Sequence, residues 1–381
     1  RRLVTLTNQR SLFDIPDDIA YLNCSYMSPL PRASREAGQA GVARKSEPWK
    51  ISAQDFFTES ETARGLFAAL IGGDVDGVAI VPSASYGVGL AAANLPIASG
   101  QTIVLLEDQF PSNVYPWRDL AAHVGASIAT VARPPDFDWT TAILAHIDEH
   151  TGIVAVPHCH WTDGSLIDLA RIGERARAVG AALVVDGAQS VGAHPFSVAE
   201  IQPDFLVAVT YKWLLGPYSL GFVYVAPRWR EGVPLESNWI TREQSEDFNG
   251  LVNYRDAFQP GARRYDMGER SNFALIPIAV ASLQQLLAWR VEEIAATLRE
   301  LTNYIEEGAR RVGLDPVPSQ RRVGHLIGLR SSAPLPPDLS KQLAAEGIYV
   351  SFRGNAIRVS PHLYNTHEEV DRLFATLAKA L

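Results

Sequence analysis

Between residues 78 and 226 the chain repeats one pattern: a short, β-branched apolar run followed by a segment of helical period. "VAIVP" precedes "SYGVGLAAANL", and "TIVLLE" precedes "SNVYPWRDLAAHVG". "SIATVA" leads to "WTTAILAHI", and "GIVAVP" to "DLARIGERARAVG"; then come "ALVVD", "FLVAV" and "GFVYVA". Continuous apolar runs, parted by helix-length stretches, predict strands buried on both faces in a mainly parallel sheet. "GFVYVA" follows "FLVAVT" after only a short turn region, which predicts one antiparallel neighbour. The rhythm stops over 228–270, a stretch too long for an idle loop in a compact chain. From about Phe273 a long helical pattern, 274–313, leads into a second unit. That unit carries "HLIGLR", "IYVSFRG", "AIRVSP" and a last helix, with Thr366 and Glu369 spaced as a capping box. The expected fold is therefore α/β: a large sheet domain over 21–272 and a smaller α+β domain over 273–381. Residues 1–20 are expected to pack as an N-terminal segment on the smaller one.

Length and composition narrow the function classes. With 381 residues, 47% of them hydrophobic, a core and two domains are within reach. A net charge of −8 with no basic stripe argues against nucleic acid as a partner. Cys24 and Cys159 lie outside any metal or redox spacing. No run is long enough to span a bilayer, and "RRLVTLTNQR" lacks a signal-type apolar segment, so no membrane role and a cytoplasmic location are expected.

Ligands of open α/β sheets gather at the carboxyl ends of the strands, so polar residues there are the first candidates. "ALVVDGAQS" places Asp186 at one such end, with Gln189 three residues on. "FLVAVTYKWLLGP" places Tyr211 and Lys212 at another. A lysine between tyrosine and tryptophan either snorkels to water or is wanted for its amine. Ser83 and Ser85 stand at a helix start, where free NH groups favour a phosphate; the same serines also suit plain N-capping. An amine, an acid and an anion site at strand ends together match pyridoxal 5'-phosphate.

The combination of "DGAQ", "YKWLLGP" and "SPHLYNTHEEVDRL" resembles the fold-type-I pyridoxal-phosphate enzymes of the class V aminotransferase group. That group includes cysteine desulfurases, kynureninases and isopenicillin-N-epimerase-like proteins. The resemblance runs from "YLNCSYMSPLP" nearly to the end of the chain. It implies that Lys212 carries the cofactor as a Schiff base and shuttles the Cα proton. Asp186 would pair with the ring nitrogen, and Gln189 would hydrogen-bond the ring 3-oxygen. Ser83, Ser85, Tyr86 and Tyr211 would hold the phosphate. Phe110, in "QFPSNVYPW", would stack on the ring, and Trp161 or Thr162 would lie at its edge. Arg358, in "IRVSP", would clamp the substrate carboxylate. Tyr26, with Trp117, Trp161 and Trp239, would make the substrate pocket roomy and apolar. "RRYDMGERSNF" resembles a loop that reaches a partner's cofactor, which implies a homodimer with shared sites.

Two rival readings use the same stretches. Gly87, Gly89 and Ala92 fit a G-x-G-x-x-A dinucleotide fingerprint, with Glu107 near the ribose-binding distance. The first glycine does not directly follow its strand, however, so these small residues are expected inside a helix, where they allow close packing. His158 and His160, with Asp163 nearby, could share a face as metal ligands, but the cofactor already accounts for that polar strand end, so no metal is expected. His146 and His150 read as solvated surface. The cofactor alone does not choose the reaction. "IYVSFRGNAIRVS" carries no cysteine ahead of Arg358, which argues against persulfide-forming desulfurase chemistry. An amino-acid substrate is expected, with aminotransferase activity ahead of a kynureninase-like, C–S lyase or epimerase reaction.

Overall fold

A computed structural model describes residues 4–381; the first three residues of the expected N-terminal segment lie outside the described residues. Among the described residues thirteen strands form: β1 Ala20–Tyr21, β2 Val78–Val81, β3 Thr102–Leu106, β4 Ser127–Val131, β5 Thr151–Pro157, β6 Ala182–Asp186, β7 Phe205–Val209, β8 Gly221–Val225, β9 Asp315–Pro316, β10 Ile327–Arg330, β11 Ile348–Tyr349, β12 Ser351–Arg353 and β13 Ala356–Val359. Seven of them make one sheet in the order β2-β8-β7-β6-β5-β3-β4. Its pairs are parallel from β7 to β4, whereas β8 runs antiparallel to both β7 and β2. The fold is thus the α/β, mainly parallel arrangement that the alternating runs predict.

Side chains alternate across this sheet into two cores. Val104, Val154, Val185 and Leu206 enter one; Ile103, Ile153, Val184 and Phe205 enter the other. Covering both faces explains why β5, β6 and β7 are buried along their whole length and apolar but for Thr151 and Asp186 at their ends. Gly87 and Gly89 lie within the helix Ala84–Asn94. A Cβ on Gly87 would stand 2.8 Å from side-chain atoms of both Val207 and Val223. The glycine therefore permits helix-on-sheet contact and makes no dinucleotide turn.

The C-terminal part builds a second sheet, β12-β13-β10-β9, over a third core that includes Ile327, Leu329, Ile357 and Val359. The start of the chain joins this region. β1 pairs in parallel with β11, and Arg10 makes an ion pair with Glu369. Thr366 and Glu369 form the capping box of the helix His367–Ala380. The single helical pattern over 274–313 is two helices, Leu275–Trp289 and Val291–Arg311, broken where Arg290 takes a left-handed φ of 65°. No glycine or proline announces that break. Residues 228–270 carry short 3-10 turns and one antiparallel bridge, Arg242 to Phe258.

Candidate active site

The last residues of β5, β6 and β7, which are Pro157, Asp186 and Val209, line one cleft. Lys212, Asp186, Gln189, Tyr211, Phe110 and Trp161 all line it, as does Ala84 from the first turn of the helix Ala84–Asn94.

The loop after β7 fixes Lys212. Thr210 Oγ1 donates to the carbonyls of Pro217 and Leu220, and Gly216 NH donates to the Thr210 carbonyl. Trp213, Leu214 and Leu215 are buried in the core, which leaves the lysine between them and Tyr211 to face the cleft. Lys212 is only 7% exposed, and no hydrogen bond or ion pair reaches its Nζ among the described residues. That atom stands 5.2 Å from the Phe110 ring centroid and 5.4 Å from that of Tyr211. Burial lowers the amine from its usual 10.5 to about 8; Asp186 opposes this fall, and Arg358 and Arg353 add to it.

Asp186 is buried and accepts one hydrogen bond, from Ala188 NH at 3.0 Å. Burial raises its carboxyl above the ordinary range, against that bond and the charge of Lys212. Gln189 is held at both ends: its Oε1 accepts from Trp213 Nε1 at 2.9 Å, and its Nε2 donates to the Ser25 carbonyl at 3.1 Å. Trp161 packs edge-on to Phe110 at 5.4 Å. The Trp161 carbonyl accepts from Arg358 Nη1 at 2.8 Å. Arg358 is 1% exposed and has no carboxylate partner among the described residues, and its Nε is buried without a partner. Burial, and then the like charge of Arg353, disfavour its charged form.

Arg358 and the remaining predicted residues are not among those that line the cleft. Ser83 caps the helix Ala84–Asn94 by accepting from Tyr86 NH, and Ser85 Oγ lies 3.0 Å from Ser83 Oγ. The Tyr86 hydroxyl donates to Glu236. Thr162 meets Arg133 and His160. Tyr26 is 57% exposed and does not line the cleft. Trp117 is fully buried and donates to Asn113, while Trp239 packs with Phe56, Phe57 and Phe248. His158 packs against His194 and Phe196, whereas His160 stacks on Trp139, so the two rings serve different neighbours.

Gln109, Cys159 and Ala188 also line the cleft. Cys159 was legible only as a strand-end cysteine; its thiol lies 3.5 Å from the Gln189 carbonyl, and burial pushes its pKa up. A buried unpaired amine, a strand-end carboxylate, an aromatic wall and a helix N-terminus fit pyridoxal phosphate: the groups match its aldehyde, ring nitrogen, ring face and phosphate.

Residues 43–373 match the family described as aminotransferase class-V, and the chain belongs to that family. An uncharacterized aminotransferase of Bacillus subtilis, YcbU, is 30% identical over 90% of this chain and 88% of its own. The isopenicillin N epimerase of Streptomyces clavuligerus is 27% identical over 93% of each chain. An apo cysteine desulfurase structure from Thermococcus onnurineus superposes with a TM-score of 0.86 at 19% identity, over 98% of both chains. The fold is that of the type-I pyridoxal-phosphate enzymes, and the family's cofactor is pyridoxal 5'-phosphate. Among the described residues, no helix is long and apolar enough to cross a membrane.

Proposed function

We propose that this chain is a pyridoxal-phosphate enzyme that transaminates an amino acid, with Lys212 as its catalytic residue. The observation that carries the proposal is the Lys212 amine, buried without a partner in the same cleft as Asp186. When bound, pyridoxal phosphate supplies an aldehyde for the amino groups and a ring that accepts the electron pair released at Cα.

The protein's own groups do the rest. Lys212 Nζ, with its pKa near 8, is free to take the Cα proton and return it at neutral to mildly alkaline pH. Asp186 pairs with the ring nitrogen and holds a proton there. Gln189, fixed by Trp213 and Ser25, meets the ring 3-oxygen. Phe110 covers a ring face, and Trp161 closes the edge and excludes water. The helix start at Ser83, Ser85 and Tyr86, with Tyr211, holds the phosphate. Arg358 receives the substrate α-carboxylate as a two-pronged donor, which would give its buried guanidinium the anion it lacks. Tyr26, exposed and outside the lining of the cleft, is kept as a substrate contact on the family resemblance alone. We place 21–272 as the cofactor domain, 273–381 as the small domain, and the enzyme as a cytoplasmic homodimer.

Two features favour transamination over persulfide chemistry. The β12–β13 hairpin ahead of Arg358 carries no cysteine, and both Cys24 and Cys159 are buried with raised thiol pKa values. Epimerisation or Cβ cleavage is the second reading, favoured by the extent of the match to isopenicillin N epimerase. The deciding experiment incubates the holoenzyme with a panel of amino acids and identifies products by mass spectrometry. A keto acid with stoichiometric pyridoxamine phosphate establishes transamination. An inverted or fragmented substrate with unchanged cofactor establishes the second reading instead.

A further inference from the structure

A second hollow adjoins the cofactor cleft and shares Gln109 and Trp161 with it. Three arginines line it: Arg133, Arg330 and Arg353. Two of them are already answered by acids. Arg133 binds Asp163 at 2.6 Å and lies near Asp108; Arg330 binds Asp315 at 2.5 Å from across the sheet. Arg353 differs. Its Nη1 donates to the Phe352 carbonyl, its Nε is buried without a partner, and no carboxylate reaches it among the described residues.

The bland account of Arg353 is that it rests on an aromatic ring with its charge in water. Its Cζ does lie 5.0 Å from the Trp161 ring centroid. Stacking of this kind leaves the in-plane donors free, however, and a guanidinium does not shed its proton to relieve the cost of burial. Desolvation disfavours its charged form, as expected for a cation with no counterion. An anion entering the hollow would satisfy both the charge and the fork of donors.

The two arginines without a carboxylate partner both approach Trp161, which the cleft and the hollow share. Arg358, on β13, is fully buried and hydrogen-bonds the Trp161 carbonyl; Arg353 ends β12 beside the hairpin turn and lines the outer hollow. Both contact the Trp161 ring, with Arg358 Cζ at 5.8 Å. Trp161 in turn meets Phe110, over which Lys212 Nζ is placed. With a substrate's amino group near Lys212 and its α-carboxylate at Arg358, a side chain turned past Trp161 would enter the hollow that Arg353 lines.

We propose that Arg353 selects amino acids with a second anionic group at the end of the side chain, such as a dicarboxylic amino acid. This inference rests on the placement of the cofactor at Lys212 and of the α-carboxylate at Arg358.

The test compares glutamate with glutamine and aspartate with asparagine, pairs that differ in charge at nearly constant shape. Wild-type holoenzyme should prefer the acid of at least one pair, by about tenfold or more in kcat/KM. Arg353→Gln should lower that acid-to-amide ratio by roughly 10- to 100-fold, the scale of one lost charge-assisted contact. Arg353→Lys, which keeps the charge and loses the fork, should retain part of it. Calorimetry gives a readout independent of turnover: glutarate should bind the holoenzyme more tightly than butyrate, and Arg353→Gln should remove the difference. An amide preferred over its acid, or a ratio unchanged in Arg353→Gln, overturns the proposal. So does an equal loss for acid and amide, which would place Arg353 on the α-carboxylate. If purified protein supplied with pyridoxal phosphate shows no bound-cofactor absorbance, the Lys212 assignment fails and takes this inference with it. A normal cofactor spectrum with no acid preference overturns this inference alone.

Discussion

The Nζ atom of Lys212 lies 5.2 Å from the centroid of the Phe110 ring, so the amine and the aromatic wall bound the same small space. A planar ring linked to that amine would find one face already covered by Phe110. Replacing the aromatic side chain with an aliphatic one should therefore weaken cofactor retention more than it disturbs the fold. Phe110→Leu is expected to raise the Kd for pyridoxal phosphate by about 2- to 10-fold, the range for one aromatic contact. Equilibrium dialysis against free cofactor measures this, and an unchanged Kd would remove Phe110 from the site.

Lys212→Ala should abolish the lysine-linked visible absorbance of the cofactor and lower turnover by at least about 10^3-fold, on the scale of a lost proton-transfer group. Borohydride reduction of wild-type holoenzyme, followed by peptide mapping, should place the cofactor mass on the peptide containing Lys212. A tag on another lysine would move the site.

The lowered amine pKa also has a sign that can be checked on apoprotein. Lys212 titrates near 8 when folded and near 10.5 as an ordinary lysine, so between those values the unfolded chain binds more protons than the folded one. Stability should then rise with pH across that window, with the full cost of burying the ammonium present below pH 8. Urea denaturation of apoprotein from pH 7 to 10 should show this rise, and Lys212→Met should flatten it. A slope of the same size in both proteins would assign it to other groups.

Asp186 sits at the end of a fully buried strand, with its carboxyl raised by desolvation and one backbone NH as its partner. A cationic ring nitrogen would reverse that shift and make the pair mutually stabilising. Asp186→Asn keeps the shape and loses the charge. It should cost about 10^2- to 10^3-fold in kcat, the scale of one removed electrostatic stabiliser. Near-normal turnover in single-turnover kinetics would deny Asp186 that role.

How far the sequence discloses this protein depends on the range of the signal. Strand ends at Asp186, Tyr211 and Lys212 follow from local apolar runs, because a strand buried on both faces must end where polarity begins. The helical context of Gly87 was legible too, from the residues intervening after β2. Arg353 was not, since a hairpin and a distant sheet bring it beside Trp161, and nothing in "SFRGNAIRV" marks one arginine as unpaired. Trp239 and Trp117 read as pocket aromatics, yet they join other clusters, because aromatic content says nothing about which cavity a ring faces. The break at Arg290 lacks any glycine or proline; it is visible only in the left-handed φ of that residue.

The segment "RRYDMGERSNF" is anchored by charge, and this gives a prediction about stability. Asp266 is 1% exposed and accepts from Arg64 Nη1 and Nη2 at 3.0 and 2.7 Å, from Ile80 NH at 2.7 Å, and from Arg270. One carboxylate thus neutralises two fully buried guanidinium groups and ties the segment to β2, next to the helix that starts at Ala84. Arg64 also binds Glu61 at 3.0 Å, so removing Asp266 strands chiefly Arg270, whose charged form burial already disfavours. Asp266→Ala should cost about 3–5 kcal/mol of unfolding free energy. The double change Arg64→Met with Asp266→Leu should recover part of that loss, since it takes away one cation together with the anion. Urea melts with matched slopes would measure both. If Asp266→Ala is nearly neutral, the arginines have another outlet, and the ion cluster is not what holds the segment in place.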